Sequence, residues 1–358
     1  MNTDAAYETA ATRARGALVR VFGHVLARPS EIAVGCANGR VNLIGDHVDY
    51  AGGLVLPRAT RETTTVAIAM AADGSDHFTS EWVGELVDAL ESDVAGDASW
   101  ERYARGVLIE LRARGIMVPP MALAVVSDVP VGAGLSSSAA LEIAVARAAL
   151  ALVGMELTPA DLALLAQRAE HLHAGVPCGI MDQWCVAHAN PCAAQHDAML
   201  LDCAQRTHEL IALPMNLRIE VLDSGIRHAL RDGGYAARRQ DVFDAAARLA
   251  RPVEELARAS DAEIASLPAQ LSRRARHVVT EVARVRAAVH ALRNNDLAGF
   301  GALLQASHAS LRDDFDVSTP EVDRIVEMAL ARGALGARMT GGGFGGCVVV
   351  AWKLDGRE

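Results

Sequence analysis

The segment PVGAGLSSSAALE, residues 130–142, places the strongest constraint on the fold. A short apolar run typical of a strand, Met121–Ser127, precedes it, and a long apolar helical pattern follows it. Gly132 and Gly134 let the backbone approach a ligand closely, and the free N–H groups at the start of a helix favour an anion. The sequence therefore predicts a strand, a phosphate-binding loop and a helix. A glycine turn with a serine cap is the alternative that this loop alone leaves open.

This loop differs from the Walker phosphate loop, because no Gly-Lys-Ser/Thr follows its glycines. The charge on a nucleotide's phosphates would have to be neutralised by other groups. A hydroxyl such as that of Ser138, together with a carboxylate elsewhere in the chain, could hold Mg²⁺ for that purpose.

A second glycine cluster, TGGGFGGC at residues 340–347, has five glycines in six positions before a strand-like run. So many glycines permit backbone conformations that other residues resist, at an entropic cost. Close approach to another loop or to a phosphate explains the cluster, and a tight connection is the alternative.

The segment GRVNLIGDHVDYAGG, residues 39–53, concentrates polar side chains of several kinds. They are Arg40, Asp46, His47, Asp49 and Tyr50. The apolar residues between them would anchor a hairpin to the core, so that the polar groups stay in place for a ligand.

A third candidate is Asp182, in the stretch GVPCGIMDQ at residues 175–183. Its apolar neighbours predict partial desolvation, which is typical of a functional carboxylate or of a firmly hydrogen-bonded structural one. The helix before this stretch carries Glu170. Thr158 is its expected N-cap and Gly175 is its expected stop.

The length of 358 residues exceeds the size at which a single core usually stops growing, so we expect two domains. Strand-like and helix-like segments mix in the first half, and long helices dominate the second. The pattern predicts an α+β fold with a mixed-sheet N-terminal domain, 1–204, and a helix-rich C-terminal domain, 205–358.

Periodicity and composition predict most of the secondary structure. The predicted strands are 31–37, 63–70, 121–127, 217–223 and 347–352. The predicted helices are 136–154, 159–174, 235–256, 273–292, 297–311 and 320–332.

The formal charge of −10 and the pI near 5.7 offer no broad attraction to nucleic acid or to an anionic membrane. The first residues lack the apolar core of a signal peptide, and Glu142 and Arg147 interrupt the apolar stretch around 139–153. These features predict a cytoplasmic protein without a membrane span.

Six cysteines without a CxxC pair do not indicate a disulfide framework in a chain of this length. Cys185, His188, Cys192 and His196 suggest zinc, but their spacing matches no familiar structural site. Buried reduced thiols are the simpler interpretation.

Taken together, these segments resemble the galactokinase family of the GHMP small-molecule kinases. GRVNLIGDHVDYAGGLVLP is similar to that family's N-terminal signature, and PVGAGLSSSAALE and MTGGGFGGC are similar to the second and third GHMP motifs. AEHLHAGVPCGIMDQ and DSGIRHALRDGGYAARRQ resemble galactokinase-type members. The similarity runs from about residue 30 to 352 and implies a two-domain fold with the active site in the cleft between the domains.

The resemblance also implies roles for individual residues. Asp182 would be the catalytic base for the anomeric hydroxyl of D-galactose, and Arg40 would stabilise charge during phosphoryl transfer from ATP. Ser138 and Glu170 would bind Mg²⁺. The ATP phosphates would lie on Gly132, Ala133, Gly134, Leu135, Ser136, Ser137 and Ser138. The sugar would contact Arg40, Asp46, His47, Asp49, Gly179, Asp182 and Tyr235.

Asp46 departs from the family pattern, which usually has Glu in the stretch GEHTDY, where this chain has GDHVDY. L-arabinose, galacturonate and N-acetylgalactosamine therefore stay open as alternatives to galactose. A catalytically silent sugar and ATP sensor is the alternative from another class, although Arg40, Glu170 and Asp182 are all present. We expect the sugar and ATP as small-molecule partners, no nucleic acid or membrane partner, and a monomer as the favoured state.

Overall fold

A computed structural model describes residues 3–82, 85–88, 100–191, 197–226 and 233–354. The chain forms two compact units, each built from more than one stretch of sequence. Unit 1 comprises Met1–Arg40, Ala59–Pro130 and Ser136–Gln195. Unit 2 comprises Val41–Arg58, Val131–Leu135 and His196–Glu358. The domain boundary expected near residue 205 stays a prediction, as does the cleft between domains.

Unit 1 contains a mixed sheet and five helices among its described residues. The strands are β1 (Ala33–Asn42), β3 (Pro57–Met70), β4 (His77–Trp82), β5 (Glu85–Asp88) and β6 (Met121–Ser127), in the order β1-β3-β6-β4-β5. The helices are α1 (Thr3–Phe22), α2 (Glu101–Ala113), α3 (Ser137–Leu152), α4 (Pro159–Ala169) and α5 (Met181–His188).

The pairing of β6 makes the sheet mixed. β3 runs antiparallel to β6, with Thr64 opposite Ser127, whereas β4 runs parallel to it. Helix α1 covers this sheet with Leu18 and Phe22, in one core with small residues of β3 and β6 such as Ala67 and Ala124. The predicted mixed sheet is confirmed.

Helix α3 packs directly on strand β1 because of Gly35. A Cβ atom on this residue would lie 2.2 Å from the carbonyl oxygen of Ala144 and 2.4 Å from the amide nitrogen of Ala148. Only glycine fits this backbone contact. The contact fixes the helix that begins at the serines relative to the strand that carries Arg40.

Unit 2 is helix-rich, with two small antiparallel sheets among its described residues. Its helices are α6 (Gly234–Arg248), α7 (Asp261–Ala265), α8 (Ala269–Arg293), α9 (Leu297–Asp313) and α10 (Pro320–Ala331). One sheet has the order β10-β11-β9, from Gly336–Thr340, Cys347–Lys353 and Leu217–Asp223. The other has the order β2-β7-β8, from Leu54–Val55, Asp197–Asp202 and Thr207–Ala212.

Most predicted elements are confirmed, but some begin or end at residues that the local sequence pattern does not predict. Strands β6 and β9 have the predicted bounds, whereas β1 extends to Asn42 and so places Arg40 on a strand. The single helix predicted over 235–256 is wrong. Helix α6 ends at Arg248, Ala250 adopts φ 52°, and a separate 3₁₀ helix covers Val253–Arg258 after Pro252.

The helix predicted over 159–174 has two parts. Thr158 caps α4 as expected, since its hydroxyl accepts a hydrogen bond from the amide of Asp161 at 3.1 Å. After Ala169 the chain widens into a π-helical turn, Glu170–Ala174, which ends at Gly175 with φ 75°. Such turns are rare and occur often at functional sites.

Within the described residues, no helix combines the length and the apolar composition needed to cross a membrane.

Candidate active site

Arg40 and Asp182 form the central ion pair of unit 1. Nε of Arg40 donates to Oδ1 of Asp182 at 2.8 Å, and Nη2 donates to Oδ2 at 2.6 Å. The guanidinium is 5% exposed and the Asp182 side chain is 24% exposed. This two-pronged geometry fixes the carboxylate plane while one side of the carboxylate stays accessible.

The hydroxyl of Ser136 also donates to Oδ2 of Asp182. Ser136 precedes α3 with a left-handed backbone, φ 57°, and its side chain caps no helical amide. The structure thus couples a serine predicted for the phosphate loop to the predicted base. The serine-cap alternative does not apply to Ser136.

Arg147 holds helix α5, which carries Asp182 in its first turn, on strand β1. Its guanidinium donates to the carbonyl oxygens of Ala187 and Ala189 at 2.9 and 3.2 Å, and to that of Cys36 at 2.7 Å. These bonds occupy carbonyls at the end of α5. A charge that interrupts an otherwise apolar helix in the sequence therefore positions the catalytic candidate.

Two buried glutamates lie beside this pair. Nε2 of Gln183 donates to Oε2 of Glu170 at 2.5 Å and to Oε2 of Glu142 at 3.4 Å. Burial, followed by the charge of Asp182, raises the pKa of Glu170. Burial, followed by the charge of Glu170, raises the pKa of Glu142 well above its usual range. Without a cation these two carboxyl groups hold protons near pH 7, and a bound cation would favour their ionised form.

In the predicted phosphate loop, the glycines adopt left-handed backbone conformations and Ala133 between them does not. Gly132 and Gly134 have φ 66° and 76°, a region that favours glycine. In unit 2 the second glycine cluster lies against this loop, because a Cβ on Gly341 would approach the Cα of Gly134 to 3.0 Å. The predicted close approach of the cluster to another loop is confirmed.

Asp46 is the centre of a buried network in unit 2. Its Oδ1 accepts from the amide of Gly341 at 2.9 Å. Its Oδ2 accepts from Nδ2 of Asn42 at 3.0 Å and from the guanidinium of Arg338. Asp46 is 2% exposed and Arg338 is fully buried. Arg338 was not predicted as a site residue.

Helix α8 fixes the same hairpin from another direction. Oε1 of Glu281 accepts from the amide of Gly45 at 2.9 Å and from the hydroxyl of Ser307 at 2.6 Å. Nε2 of His277 donates to the carbonyl oxygen of Asp46 at 3.1 Å. Burial lowers the pKa of His277 to about 4, so the ring is neutral near pH 7.

His47 lies in an aromatic cluster of unit 2. Its ring centroid is 4.7 Å from that of Phe315 and 5.3 Å from that of Tyr235, and its Nδ1 is 3.2 Å from the Tyr50 hydroxyl. Burial lowers its pKa to about 3. Nε2 of this neutral ring is buried and meets no hydrogen-bond geometry in the described part of the chain, although the backbone of Gly342 lies close enough to raise the pKa of the ring.

The structure therefore sorts the predicted residues into two groups. Unit 1 brings together Arg40, Ser136, Ser138, Glu170 and Asp182, with Gly179 buried in the loop before α5. Unit 2 brings together Asp46, His47, Tyr235 and the loop glycines, with Asp49 half-buried beside Tyr50.

Three protein-family descriptions match the chain. GHMP kinases N terminal domain matches residues 102–190, and GHMP kinases C terminal matches residues 288–355. The galactokinase galactose-binding signature matches residues 20–70, which contain Arg40 and Asp46.

Whole-chain relatives narrow the assignment. The galactokinase of Roseiflexus sp. (strain RS-1) is 41% identical over 92% of this chain and 83% of its own length. The galactokinase of Homo sapiens is 40% identical over 92% of this chain and 86% of its own length.

The chain belongs to the galactokinase family.

Solved structures agree with this placement in the galactokinase family. The crystal structure of Lactococcus lactis galactokinase complexed with galactose matches with TM-score 0.82 and 30% identity, over 95% of this chain and 90% of that one. The L. major mevalonate kinase in complex with R-mevalonate matches with TM-score 0.62 at 20% identity, over 89% and 86% of the two chains, which shows the shared fold alone.

The donors in unit 1 of this galactokinase-family chain fit Mg²⁺. The hydroxyl of Ser138 lies close enough to Glu170 to lower its pKa, so two oxygen ligands lie near each other. Oε1 of Glu142 and Oε1 of Gln183 are buried without partners in the described part of the chain. Mg²⁺ prefers oxygen ligands and usually takes only one or two carboxylates together with substrate phosphates.

Several residues of the network were missed because their partners are distant in sequence. Arg338 and Glu281 are charges in buried elements, which is the signal that could have indicated them. The zinc alternative is not supported at Cys185, a buried thiol whose pKa is raised to about 12. Cys192, His196 and residues 227–232 of the DSGIRHALRDGG stretch lie outside the described residues.

Proposed function

We propose that this protein is an ATP-dependent sugar-1-kinase. It transfers the γ-phosphoryl group of ATP to the anomeric hydroxyl of D-galactose and releases galactose 1-phosphate and ADP. The observation that carries this proposal is the arginine fork on Asp182 with the Ser136 hydroxyl beside it, in a chain of the galactokinase family.

Asp182 accepts and orients the anomeric hydroxyl. Its Oδ2 already receives two hydrogen bonds, from Arg40 and Ser136, whereas Oδ1 receives one in the described contacts. Oδ1 is therefore the oxygen with capacity for the substrate O–H. The proton moves to the carboxylate as the sugar oxygen bonds to Pγ and the bond from Pγ to the bridging oxygen of ADP breaks. A loose transition state demands more of this orientation than of base strength.

Arg40 has two roles in this scheme. It keeps the carboxylate in one orientation, and it supplies positive charge where the phosphoryl group passes. Its own burial strengthens both effects, because water screens the guanidinium poorly at 5% exposure.

The phosphates of ATP lie on the loop from Gly132 to Ser138. The left-handed glycines and the start of α3 favour anions there. Ser138 and Glu170 hold Mg²⁺, which offsets phosphate charge when it is bound. The buried carboxylates of unit 1 account for the need for that cation.

Each of the two groups offers candidate sugar contacts. His47 offers Nε2, and the ring of Tyr235 lies beside the His47 ring. Asp49 and Gly179 complete the proposed set with Arg40 and Asp182. Polar groups of this number suit a ligand with many hydroxyls and reject analogues that leave them unpaired. The family resemblance adds Asp46, although its carboxylate is already engaged by protein donors.

A coupled assay of ADP release tests the proposal. The panel is D-galactose, L-arabinose, galactosamine, N-acetylgalactosamine, galacturonate and glucose, each with MgATP. We expect the highest kcat/KM with D-galactose. A higher value with L-arabinose or another member would reassign the substrate. Absence of sugar-dependent ADP from every member would overturn the kinase, and binding of ATP and galactose without turnover would instead support a sensor. A cytoplasmic location and a monomeric state stay predictions.

A further inference from the structure

We infer that Phe344 is a positioning residue for the sugar side of the site, because its ring supports the first turn of helix α6, which carries Tyr235. Phe344 belongs to the second glycine cluster, TGGGFGGC, so the segment that lies against the phosphate loop also places a residue for the sugar. The inference rests on the proposed function for the identity of the sugar and for its contact with Tyr235.

The backbone at Phe344 is the first observation. Its φ is 59°, in the left-handed region that bulky side chains rarely adopt. The amide of Phe344 donates to the carbonyl oxygen of Val317 at 2.7 Å, and a Cβ on Gly343 would lie 2.6 Å from the Cβ of Val317. An unfavourable conformation of this kind persists where the surroundings hold it, and it is found often at functional sites. A phenylalanine held in this way among glycines therefore needs a reason of its own.

Gly234 supplies that reason. A Cβ on Gly234 would lie 2.7 Å from Cζ and 2.8 Å from Cε2 of Phe344, so the ring lies directly on the backbone of α6. The φ of Gly234 is not left-handed, whereas that of the neighbouring Gly233 is, at 78°. A Cβ on Gly233 would meet no atom of the described residues within 4 Å. Gly233 is thus explained by its conformation, and Gly234 by the space that the ring needs.

Arg238 extends this contact along α6. It lies four positions after Gly234, so the two residues share one face of the helix. Its guanidinium carbon is 6.0 Å from the centroid of the Phe344 ring, and its Nε donates to the carbonyl oxygen of Phe315 at 2.9 Å. The Phe315 ring lies 4.7 Å from that of His47. Phe344 is therefore linked, through α6, to the aromatic cluster of unit 2.

Tyr235 is the residue that this arrangement places. It follows Gly234 in the first turn of α6, and its ring centroid lies 5.3 Å from that of His47 and 6.0 Å from that of Tyr50. A backbone shift at Gly234 moves Tyr235 with it, since the two residues share a peptide bond. Loss of the Phe344 ring removes the surface on which this turn rests.

The contact of the glycine cluster with the phosphate loop does not involve the ring. A Cβ on Gly341 would approach the Cα of Gly134 to 3.0 Å, and one on Gly346 would lie 3.4 Å from the carbonyl oxygen of Ala133. Both are approaches of backbone to backbone. Removal of the Phe344 side chain leaves them in place, so its expected effect falls on the sugar.

Titration calorimetry on the full chain with Phe344→Ala tests the inference. The probes are MgADP, and D-galactose added to protein saturated with MgADP, so the result does not depend on turnover. We expect the Kd for galactose to rise by about fivefold or more, since a displaced Tyr235 loses a hydrogen bond to the sugar, and the Kd for MgADP to change less than about twofold. A smaller rise for galactose would overturn the inference, and so would a rise for MgADP that matches or exceeds it.

Gly234→Ala makes the result specific to the contact with the ring. In the wild-type background the added Cβ meets Phe344, so the galactose Kd should again rise by about fivefold or more. In the background of Phe344→Ala the space is open, and Gly234→Ala should cause no further loss. An added loss in the double variant as large as that in the wild-type background would contradict the inference.

Tyr235→Ala shows whether Phe344 acts through this residue. It removes the proposed sugar contact itself, so Phe344→Ala should then raise the galactose Kd by less than about twofold. Losses that multiply in the double variant would show a general structural role for Phe344 and would overturn the inference. If Phe344→Ala fails to fold, Phe344→Leu, which keeps an apolar side chain without the ring, takes its place with the same expected pattern.

Trp352→Leu is the matched control. Trp352 is another half-buried aromatic residue of unit 2, and the guanidinium carbon of Arg332 lies 6.0 Å from its ring, the distance that separates Arg238 from the Phe344 ring. This substitution should leave both affinities within about twofold of wild type. A rise in the galactose Kd equal to that in Phe344→Ala would contradict the specific role of Phe344.

The two proposals fail in different ways. If wild-type protein binds MgADP but neither binds nor phosphorylates any sugar of the panel, the proposed function is wrong and this inference falls with it. If wild-type protein phosphorylates galactose and Phe344→Ala binds galactose equally well, the proposed function stands and the inference alone is wrong.

Discussion

Unit 1 and unit 2 each set an arginine against carboxylates, with different outcomes. In unit 1, Arg40 holds Asp182 at 24% exposure, beside two glutamates whose pKa values are raised by burial. In unit 2, Arg338 pairs with Asp46 and Arg284 pairs with Glu281. Burial acts to raise the pKa of Glu281, but His277, Arg338 and Arg284 together lower it below its usual value. Burial holds the two glutamates of unit 1 in the protonated form near pH 7, whereas arginines balance the carboxylates of unit 2.

The cluster in unit 1 therefore has the character of a ligand-binding site, whereas the network in unit 2 holds protein segments in place. A carboxylate that is already paired with an arginine gains little from a cation, whereas buried carboxyl groups that raise one another's pKa can exchange a proton for one. Burial alone does not distinguish the two groups, because residues in both are almost inaccessible to water. The charge of the neighbours does, since arginines face Asp46 and Glu281, whereas other carboxyl groups face Glu142 and Glu170.

The largest expected effect is on turnover in unit 1. Asp182→Asn keeps the shape but removes the proton acceptor, so kcat should fall about 10³-fold, with MgADP affinity within threefold of wild type. Steady-state kinetics and calorimetry measure the two quantities.

Asp76→Asn provides the matched control for this variant. Arg112 donates two hydrogen bonds of 2.8 Å to Asp76 from Nη1 and Nη2, so Asp76, like Asp182, is held by both of its oxygens. This substitution should lower thermal stability while kcat stays near the wild-type value. A kcat near the wild-type value in Asp182→Asn would contradict the catalytic role of Asp182. An equal loss of kcat in both variants would contradict it too.

The next effect is on the stability of unit 2. Glu281→Ala leaves the Gly45 amide and the Arg284 guanidinium without their partner in a fully buried place, so the free energy of unfolding should fall by about 3–5 kcal/mol. Urea unfolding measures it.

Glu255→Ala is the comparison for Glu281→Ala, since its pair with Arg258 is exposed and 3.9 Å long. Its effect should be close to zero. Similar losses in the two variants would contradict a special role for the buried network.

The smallest expected effect is a loss of folding stability at acid pH. The pKa of His277 is lowered to about 4, so between about pH 6.5 and 4 the unfolded chain binds a proton that the folded chain does not. Stability is therefore lost as the pH falls, by about 1 kcal/mol from pH 6 to 5 for this residue. His277→Gln should reduce that slope in urea titrations at the two pH values. An unchanged slope would show that His277 is protonated in the folded protein.

The sequence predicts elements well where the pattern is local. Strand β6 and the cap at Thr158 follow from residues within a few positions of each other. Helix α1 was not predicted, because its buried face uses small residues such as Ala14 and Ala17, which give weak periodicity. The break after Arg248 was missed, although Pro252 lies just beyond it.

Site residues that belong to a recognisable motif were predicted. Residues outside the motifs, whose partners lie far along the chain, were not. Arg40 and Asp182 were both identified, and they meet across 142 positions of sequence. Nothing near Asp46 indicates Arg338, which is 292 positions away. Similarly, the hydroxyl of Ser136 was assigned to phosphate, since its bond to Asp182 depends on the left-handed backbone at that residue.

The π-helical turn at Glu170–Ala174 makes the spacing between Glu170 and Asp182 sensitive to chain length. A π turn is an α-helix with one residue added, and each residue of a helix advances the chain by about 100°. Removing one residue here, such as the exposed Leu172, would restore a regular helix and shorten the chain between Glu170 and Asp182 by one residue. Alignments and designed variants of this chain therefore have to conserve the number of residues in this turn as strictly as the identities of the side chains on either side of it.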